Sequence, residues 1–420
     1  MSKEDVEIMA PVGSFESLTA AIQAGAQSVY FGLNKLNMRA RSSANFTQKD
    51  LNTIVKTCKR HNVKTYLTLN IVLYDHELPD AYKLIDLVKQ KGVTAIIASD
   101  HAVINYARSI GVEVHISTQV NVSNIESLKF YSQFADVIVL ARELKLEQVK
   151  EIALAIENDN ICGPGGERIK IEIFAHGALC MSVSGKCYLS LHEHNYSANR
   201  GACLQNCRKG YTVKDKESGR ELDIENEYIM SPKDLCTIHF LNKILEAGVS
   251  VLKLEGRARS PEYVYTVVTC YREAVESYFE GTYTSEKIAD WTERLKTVFN
   301  RGFWDGYYLG QHMGEWSHLY GSQATKRKIY VGKGMNYFTK IQVAEFLCEA
   351  SNLMVEDEIL ITGPTTGVIQ TRVKEIQIDH KRVPEVTKGI RFSIPVDSIV
   401  RRSDKLYKIV YAEKQKPQIK

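Results

Sequence analysis

Eight short apolar runs, each followed by a stretch of helical periodicity, constrain this chain more than any other feature. They cover residues 7–12, 28–33, 64–71, 95–99, 113–118, 136–141, 170–176 and 251–255. The runs are mostly continuous rather than alternating, as strands buried on both faces of a parallel sheet must be. Amphipathic segments lie between them at 15–24, 48–61, 80–91, 102–110, 123–134, 144–156 and 233–247, and another follows the last run at 261–280. Ser14, Thr47 and Ser260-Pro261 stand where helix starts need caps. Gly25, Gly92, Gly111 and Gly248 stand where helices should end. Eight strand–helix repeats predict a (β/α)8 TIM-like barrel over residues 1–324. A doubly wound sheet is the rival, but the first strand lacks its Gly-x-Gly-x-x-Gly turn.

A barrel concentrates chemistry at the C-terminal ends of its strands. There the sequence places Asn70, Asp100, Thr118-Gln119, Arg142, His176 and Glu255-Gly256-Arg257. Two departures from the repeat matter. Residues 177–232 form an insertion after the seventh strand, far longer than an ordinary βα loop. After about residue 324 the texture turns to short β-like segments punctuated by Gly363-Pro364 and Lys388-Gly389, which predicts a small C-terminal β-barrel over 325–420.

The net charge of +4 hides an asymmetry. Residues 321–420 hold 18 Lys/Arg against 11 Asp/Glu, which leaves the first 320 residues slightly acidic. Clusters at Lys326-Arg327-Lys328, Lys381-Arg382 and Arg401-Arg402 are either a solvated surface or a footprint for a polyanion such as RNA. The first nine residues lack a signal-peptide pattern, and no run of eighteen apolar residues predicts a membrane span. A cytoplasmic protein with no membrane partner is the expectation.

Of nine cysteines, four fall within residues 180–207, where even scatter would place about 0.6. Cys180, Cys187, Cys203 and Cys207 are spaced C-x6-C-x15-C-x3-C, in a loop over the barrel mouth. Four thiolates from one loop suit zinc or an iron–sulfur cluster, and the spacing is not that of a paired zinc knuckle. Cys236 competes for a place but falls one turn inside a predicted helix. His192-Glu193-His194 is read as surface loop, and Gly163-Pro-Gly-Gly166 as a turn.

The run from Glu172 to Ser190, with Ala10-Pro11-Val12-Gly13, Ser117-Thr118-Gln119, Asn199-Arg200-Gly201-Ala202-Cys203, Cys207-Arg208, Ser231-Pro232-Lys233-Asp234 and Lys253-Leu254-Glu255-Gly256-Arg257, resembles the signature of peptidase family U32, the collagenase-like proteins. Within it the chain is most similar to the tRNA hydroxylation proteins (TrhP group). The resemblance spans nearly the whole sequence. It implies a [4Fe–4S] cluster, on Cys180, Cys187, Cys203 and Cys207 with Cys236 as the competing ligand. It implies hydroxylation of the tRNA wobble uridine to 5-hydroxyuridine with prephenate, and a C-terminal domain similar to the β-barrel of elongation factor Tu. Other relatives hydroxylate ribosomal RNA or ubiquinone precursors. Proteolysis of a peptide substrate is the alternative the family name raises, although no His-Glu-x-x-His or Gly-x-Ser-x-Gly motif is present. Prephenate carries two carboxylates, for which Arg39, Arg41, Arg142 and Arg257 are the candidate partners. Asn70, Gln119 and His176 are the candidates for orienting base or small molecule. The basic C-terminal domain would hold tRNA backbone, with the anticodon over the barrel.

Overall fold

The computed structural model describes residues 2–41, 45–212, 214–219, 230–310, 315–317, 319 and 321–412. Parts of the expected insertion (213 and 220–229) and the end of the expected C-terminal domain (413–420) lie outside them.

Strands β1 (Glu7–Pro11), β2 (Ser28–Phe31), β3 (Lys64–Leu69), β4 (Ala95–Ala98), β5 (Glu113–Ile116), β6 (Val137–Val139) and β7 (Lys170–Ala178) pair in parallel, each with the next. After a short β8 (Asp234–Cys236), β9 (Val251–Leu254) pairs in parallel with both β7 and β1, Leu252 lying opposite Ile173 and Ile8. That double pairing closes an eight-stranded TIM-like barrel.

Helices α1 (Phe15–Gln23), α2 (Leu51–Arg60), α3 (Leu78–Lys91), α4 (His101–Ser109), α5 (Ile125–Ser132) and α6 (Leu146–Asn158) alternate with the strands. Their apolar faces bury the outer side of the barrel in one large core. Ser14 caps α1 by accepting the Ser17 amide at 3.2 Å, an interaction of about 1 kcal/mol. Asp100 caps α4 at 2.9 Å. Thr47 does not cap α2. The helix begins later, after Asp50, whose carboxylate accepts the Thr47 amide and hydroxyl.

One expected helix is wrong in its first half. Residues 233–247 split into the strand β8 and the short helix α8 (Leu241–Glu246), because β7 projects beyond the barrel and offers β8 an antiparallel edge, His176 opposite Cys236. Gly177 permits that projection. Its φ is +106°, and a Cβ there would stand 2.4 Å from the Glu255 carbonyl oxygen. A two-residue β10 (Phe303–Trp304) pairs with the other edge of β8. The insertion between β7 and β8 carries α7 (Leu189–His194), which holds the His-Glu-His triplet on an exposed helix rather than a loop.

After β9 come α9 (Pro261–Phe279), with its proline in the first turn, and α10 (Ser285–Lys296). The C-terminal part is an antiparallel sheet of eight strands. Its strands are β11 (Lys326–Phe338), β12 (Val343–Cys348), β14 (Glu358–Gly363), β15 (Gly367–Arg372), β16 (Ile376–Ile378), β17 (Lys381–Val383), β19 (Arg391–Pro395) and β20 (Lys405–Tyr411), and β13 (Leu353–Met354) pairs separately with β18 (Glu385–Val386). Ile361 of β14 and Ile376 of β16, five places apart in the sheet order, share one buried core with Phe346 and Leu406. The sheet must therefore curl around that core. It sits on α1, where Gln23 exchanges hydrogen bonds with Thr366 O (2.7 Å) and the Val368 amide (2.9 Å). Part of the basic texture is used here: Lys328 pairs with Glu262 of α9 at 2.7 Å, and Lys326 with Glu358 at 2.7 Å. Lys381, Arg382, Arg401 and Arg402 remain on the exposed surface.

Inward-facing positions of the barrel hold Met9, Tyr30, Tyr66, Ala95, Ile97, Val137 and Val251. Branched aliphatics usually fill such an interior. This one also carries the buried polar groups Glu7, His115, Glu172 and Lys253.

Candidate functional site

The ends of the barrel strands and the insertion enclose a cavity of about 340 Å³. Cys180, Cys187, Cys203 and Cys207 all line it, with Asn70, Gln119, Arg39, Arg142 and Arg257. Two sequence candidates stand elsewhere. His176 is buried outside the lining, its ring packed against Tyr263, Tyr271 and Phe303 and its Nδ1 3.5 Å from the Tyr271 hydroxyl. Burial pulls its pKa down to about 3, so it is a neutral packing residue. Even at a strand exit its side chain faces the aromatic packing beneath β8, a direction that strand position alone cannot give. Arg41 is exposed and lies over the Tyr196 ring of the insertion at 4.7 Å, away from the cavity.

The cavity wall is strongly cationic. Among the described residues it presents six arginines (Arg39, Arg142, Arg208, Arg257, Arg259 and Arg301) and Lys253 against the single carboxylate of Glu255. Three of the cations have carboxylate partners: Arg39 with Glu255 (2.9 Å), Lys253 with Glu172 (2.6 Å) and Arg301 with Asp234 (3.3 Å). Arg257 instead donates to neutral oxygens, Thr68 Oγ1 at 2.9 Å and Asn37 Oδ1 at 3.2 Å. Arg142 donates to Ser184 Oγ at 2.5 Å, and its buried Nε has no hydrogen-bond partner among the described residues. Arg208 donates to Ser231 Oγ and the Leu179 carbonyl. Burial lowers the pKa of Arg257 and Arg208 to about 10 each. Guanidiniums desolvated against neutral acceptors are incompletely compensated, which suits the cavity to an anion. Arg208, Arg259, Arg301 and Lys253 escape the sequence-based choice of site residues. The available signals are the adjacency of Arg208 to Cys207, the Arg-x-Arg after β9, and the inward alternation of Lys253 with Val251.

The four cysteines come from three turns of the insertion. Cys180 lies just beyond β7 and Cys187 before α7; Cys203 and Cys207 flank a turn closed by the single-turn helix Asn206–Arg208. Burial raises the Cys207 thiol to about 11, and the other three thiols each add to that rise, opposed by Arg208. Burial also pushes Cys187 up. Four soft donors within electrostatic reach of one another suit an all-thiolate site. Among the described residues no three His, Cys, Asp or Glu side chains stand at metal-ligand spacing; the four thiols line one cavity without being drawn into a ligand set. Cys236 is 3% exposed in the barrel core, burial holds its thiol near 12, and it does not line the cavity. The sequence ranks it behind the other four for lying inside a predicted helix; it lies instead on the strand β8, and burial in the core keeps it from the cavity.

No described helix is long and apolar enough to cross a membrane. The chain is similar to a protein named collagenase from Porphyromonas gingivalis, 64% identical over 97% of this chain and 99% of that one. It is 31% identical to the tRNA hydroxylation protein P1 of Bacillus subtilis, over 85% of this chain and 83% of that one. It is 35% identical to the 23S rRNA 5-hydroxycytidine C2501 synthase of Escherichia coli, over 67% of this chain but 41% of that one. The family model of peptidase family U32 matches residues 13–318, which contain the barrel after its first strand, the insertion and every residue lining the cavity, and the chain belongs to that family.

Proposed function

We propose that this chain is an RNA hydroxylase, converting the wobble uridine of tRNA to 5-hydroxyuridine with prephenate as co-substrate. The observation that carries the reading is the meeting of four cysteines and a surplus of guanidiniums in one cavity at the barrel mouth. The relatives named for tRNA and rRNA hydroxylation support it. Cys180, Cys187, Cys203 and Cys207 would hold a [4Fe–4S] cluster, which when bound supplies one-electron redox chemistry. Arg257 and Arg142 would take the carboxylates of the small anion, since both present guanidinium nitrogens to the cavity without a carboxylate of their own. Asn70 and Gln119 at the rim offer amides to the edge of an unstacked base, the state in which base-modifying enzymes receive their target. The exposed basic residues of the C-terminal sheet would add affinity for RNA backbone.

Two measurements test this reading. The chain purified without oxygen should be brown with broad visible absorbance, and a colourless zinc-containing protein would reject the cluster. Nucleoside mass spectrometry of tRNA from a deletion strain should show loss of 5-hydroxyuridine and its derivatives. Intact tRNA with a missing hydroxycytidine in ribosomal RNA would move the substrate to the ribosome.

The collagenase name of the 64% identical relative gives proteolysis its claim. A cysteine nucleophile needs a base to activate it. Among the described residues no histidine lines the cavity, and the one lining carboxylate is engaged by Arg39. Collagen cleavage retained by a Cys180→Ala variant that has lost hydroxylation would revive the peptidase reading.

A further inference from the structure

Inside the barrel, a line of ionisable groups runs from the floor of the cavity to the opposite, N-terminal face. Lys253 lines the cavity, and its ammonium donates to Glu172 Oε1 at 2.6 Å. The other carboxylate oxygen, Oε2, lies 3.7 Å from Nδ1 of His115. Both atoms are buried and lack any hydrogen-bond partner among the described residues. They face each other, and an approach of roughly half an ångström makes the bond. On the far side of the ring, Nε2 of His115 lies 3.3 Å from Glu113 Oε1. Glu172 and His115 are sealed from solvent, whereas the Glu113 side chain, at the first residue of β5, is 40% exposed.

We propose that Lys253, Glu172, His115 and Glu113 form a proton relay along the barrel interior, connecting the cavity floor to bulk water at the N-terminal face. In the forward direction the Lys253 ammonium gives one proton to a base in the cavity. His115, neutral with its proton on Nδ1, gives that proton to the Glu172 carboxylate as Glu113 brings one from solvent to Nε2, and Glu172 then hands its proton to the Lys253 amine. One proton enters the cavity and one leaves the bulk; Lys253, Glu172 and Glu113 end as they began, and His115, left with its proton on Nε2, regains its starting tautomer by turning its ring before the next passage.

Stability alone does not account for the arrangement. A buried ion pair is no better a stabiliser than the apolar residues that usually fill such a barrel. A pair also needs only Lys253 and Glu172, not a histidine and a second glutamate in line with them. The other charged and titratable groups around the line are Tyr66, whose ring lies 4.4 Å from His115, and Tyr30, beneath the Lys253 ammonium at 4.9 Å. Tyr66 donates to Glu7, which pairs with Lys64. Glu255 and Arg257 stand two and four residues beyond Lys253 on the cavity side. The Glu7–Tyr66 branch meets His115 only through ring contact, so it is not a second path.

The inference rests on the cavity and not on the RNA reading, and its test uses the free protein, so each can fail alone. Exchange of the Lys253 ammonium protons with water is measured by nitrogen-15 NMR of the full chain, the signal being assigned by its loss in Lys253→Met. Glu113 is remote from the cavity and partly exposed, so Glu113→Gln keeps the fold while removing the entry carboxylate. The relay expects Glu113→Gln to slow the exchange about tenfold, Glu113→Asp to restore most of the rate, and His115→Gln to match Glu113→Gln. An unchanged rate in Glu113→Gln, with unfolding as in the parent, would show that Lys253 exchanges through the cavity alone and overturns the relay.

Discussion

Replacing Lys253 by methionine should destabilise the chain by an amount that depends on pH in a defined way. The Lys253 and Glu172 side chains are 7% and 0% exposed, and the ammonium lies 2.6 Å from the carboxylate. Burial raises the pKa of Glu172, but Lys253 chiefly, with His115, holds it below the ordinary range. The parent thus gains stability above the unfolded carboxyl pKa and loses it as pH falls. Removing the ammonium reverses the shift. The folded state must then carry an extra proton, on Glu172 itself or on the adjacent His115. Protonating a glutamic acid of ordinary pKa at pH 7 costs about 3.7 kcal/mol, and a histidine about 0.7 kcal/mol. The deficit of Lys253→Met at pH 7 should therefore fall between about 1 and 4 kcal/mol, within reach of the 3–5 kcal/mol typical of broken buried pairs. Whichever group takes the proton, the folded state binds one more than the unfolded state above pH 7. The deficit should grow by about 1.4 kcal/mol between pH 7 and pH 8. Urea unfolding of both proteins at pH 6, 7 and 8 measures this, and Lys253→Met/Glu172→Gln should lose the pH dependence. A deficit that stays flat from pH 7 to pH 8 would refute the reasoning, since it would mean that no buried carboxylate needed compensation.

Three further outcomes can be checked separately. His176, neutral with its pKa near 3 because burial opposes its charge, stabilises fully above its unfolded pKa, and that stability is lost as pH falls. Between pH 6.5 and 5 the parent should lose about 2 kcal/mol that His176→Gln does not lose, read from unfolding midpoints. Gly177→Ala forces a Cβ to within 2.4 Å of the Glu255 carbonyl oxygen at φ +106°, and should cost at least about 2 kcal/mol in urea unfolding. Anaerobic reconstitution should lose visible absorbance in each of the Cys180, Cys187, Cys203 and Cys207 to alanine variants. Cys236→Ala should keep its colour and lose only about 1–2 kcal/mol of stability, as a small buried side chain does.

The division between sequence and tertiary structure follows the range of the interactions. Local pattern was enough for the barrel. Eight continuous apolar runs at strand length, alternating with amphipathic segments, admit few other packings. The crowding of Cys180, Cys187, Cys203 and Cys207 into one loop marked the site because they are near in sequence as well as in space. Failures came where a long-range partner decided the outcome. Residues 234–236 form a strand only because β7 outruns the barrel and presents an edge, and nothing within residues 233–247 signals that edge. Cys236 moved from candidate ligand to core residue for the same reason. His176 and Arg41 sit at positions where the sequence expects site residues. One side chain turns into an aromatic packing layer and the other onto Tyr196, and χ angles are set by neighbours distant in sequence. The cationic wall and the Lys253–Glu172–His115–Glu113 line gather side chains from β5, β7, β9, the segments after β2, β6, β9 and α10, and the insertion. Local pattern determined the strands and the cysteine cluster; only closure of the barrel decided which charges meet inside it, because electrostatic contact depends on distance in space and not along the chain.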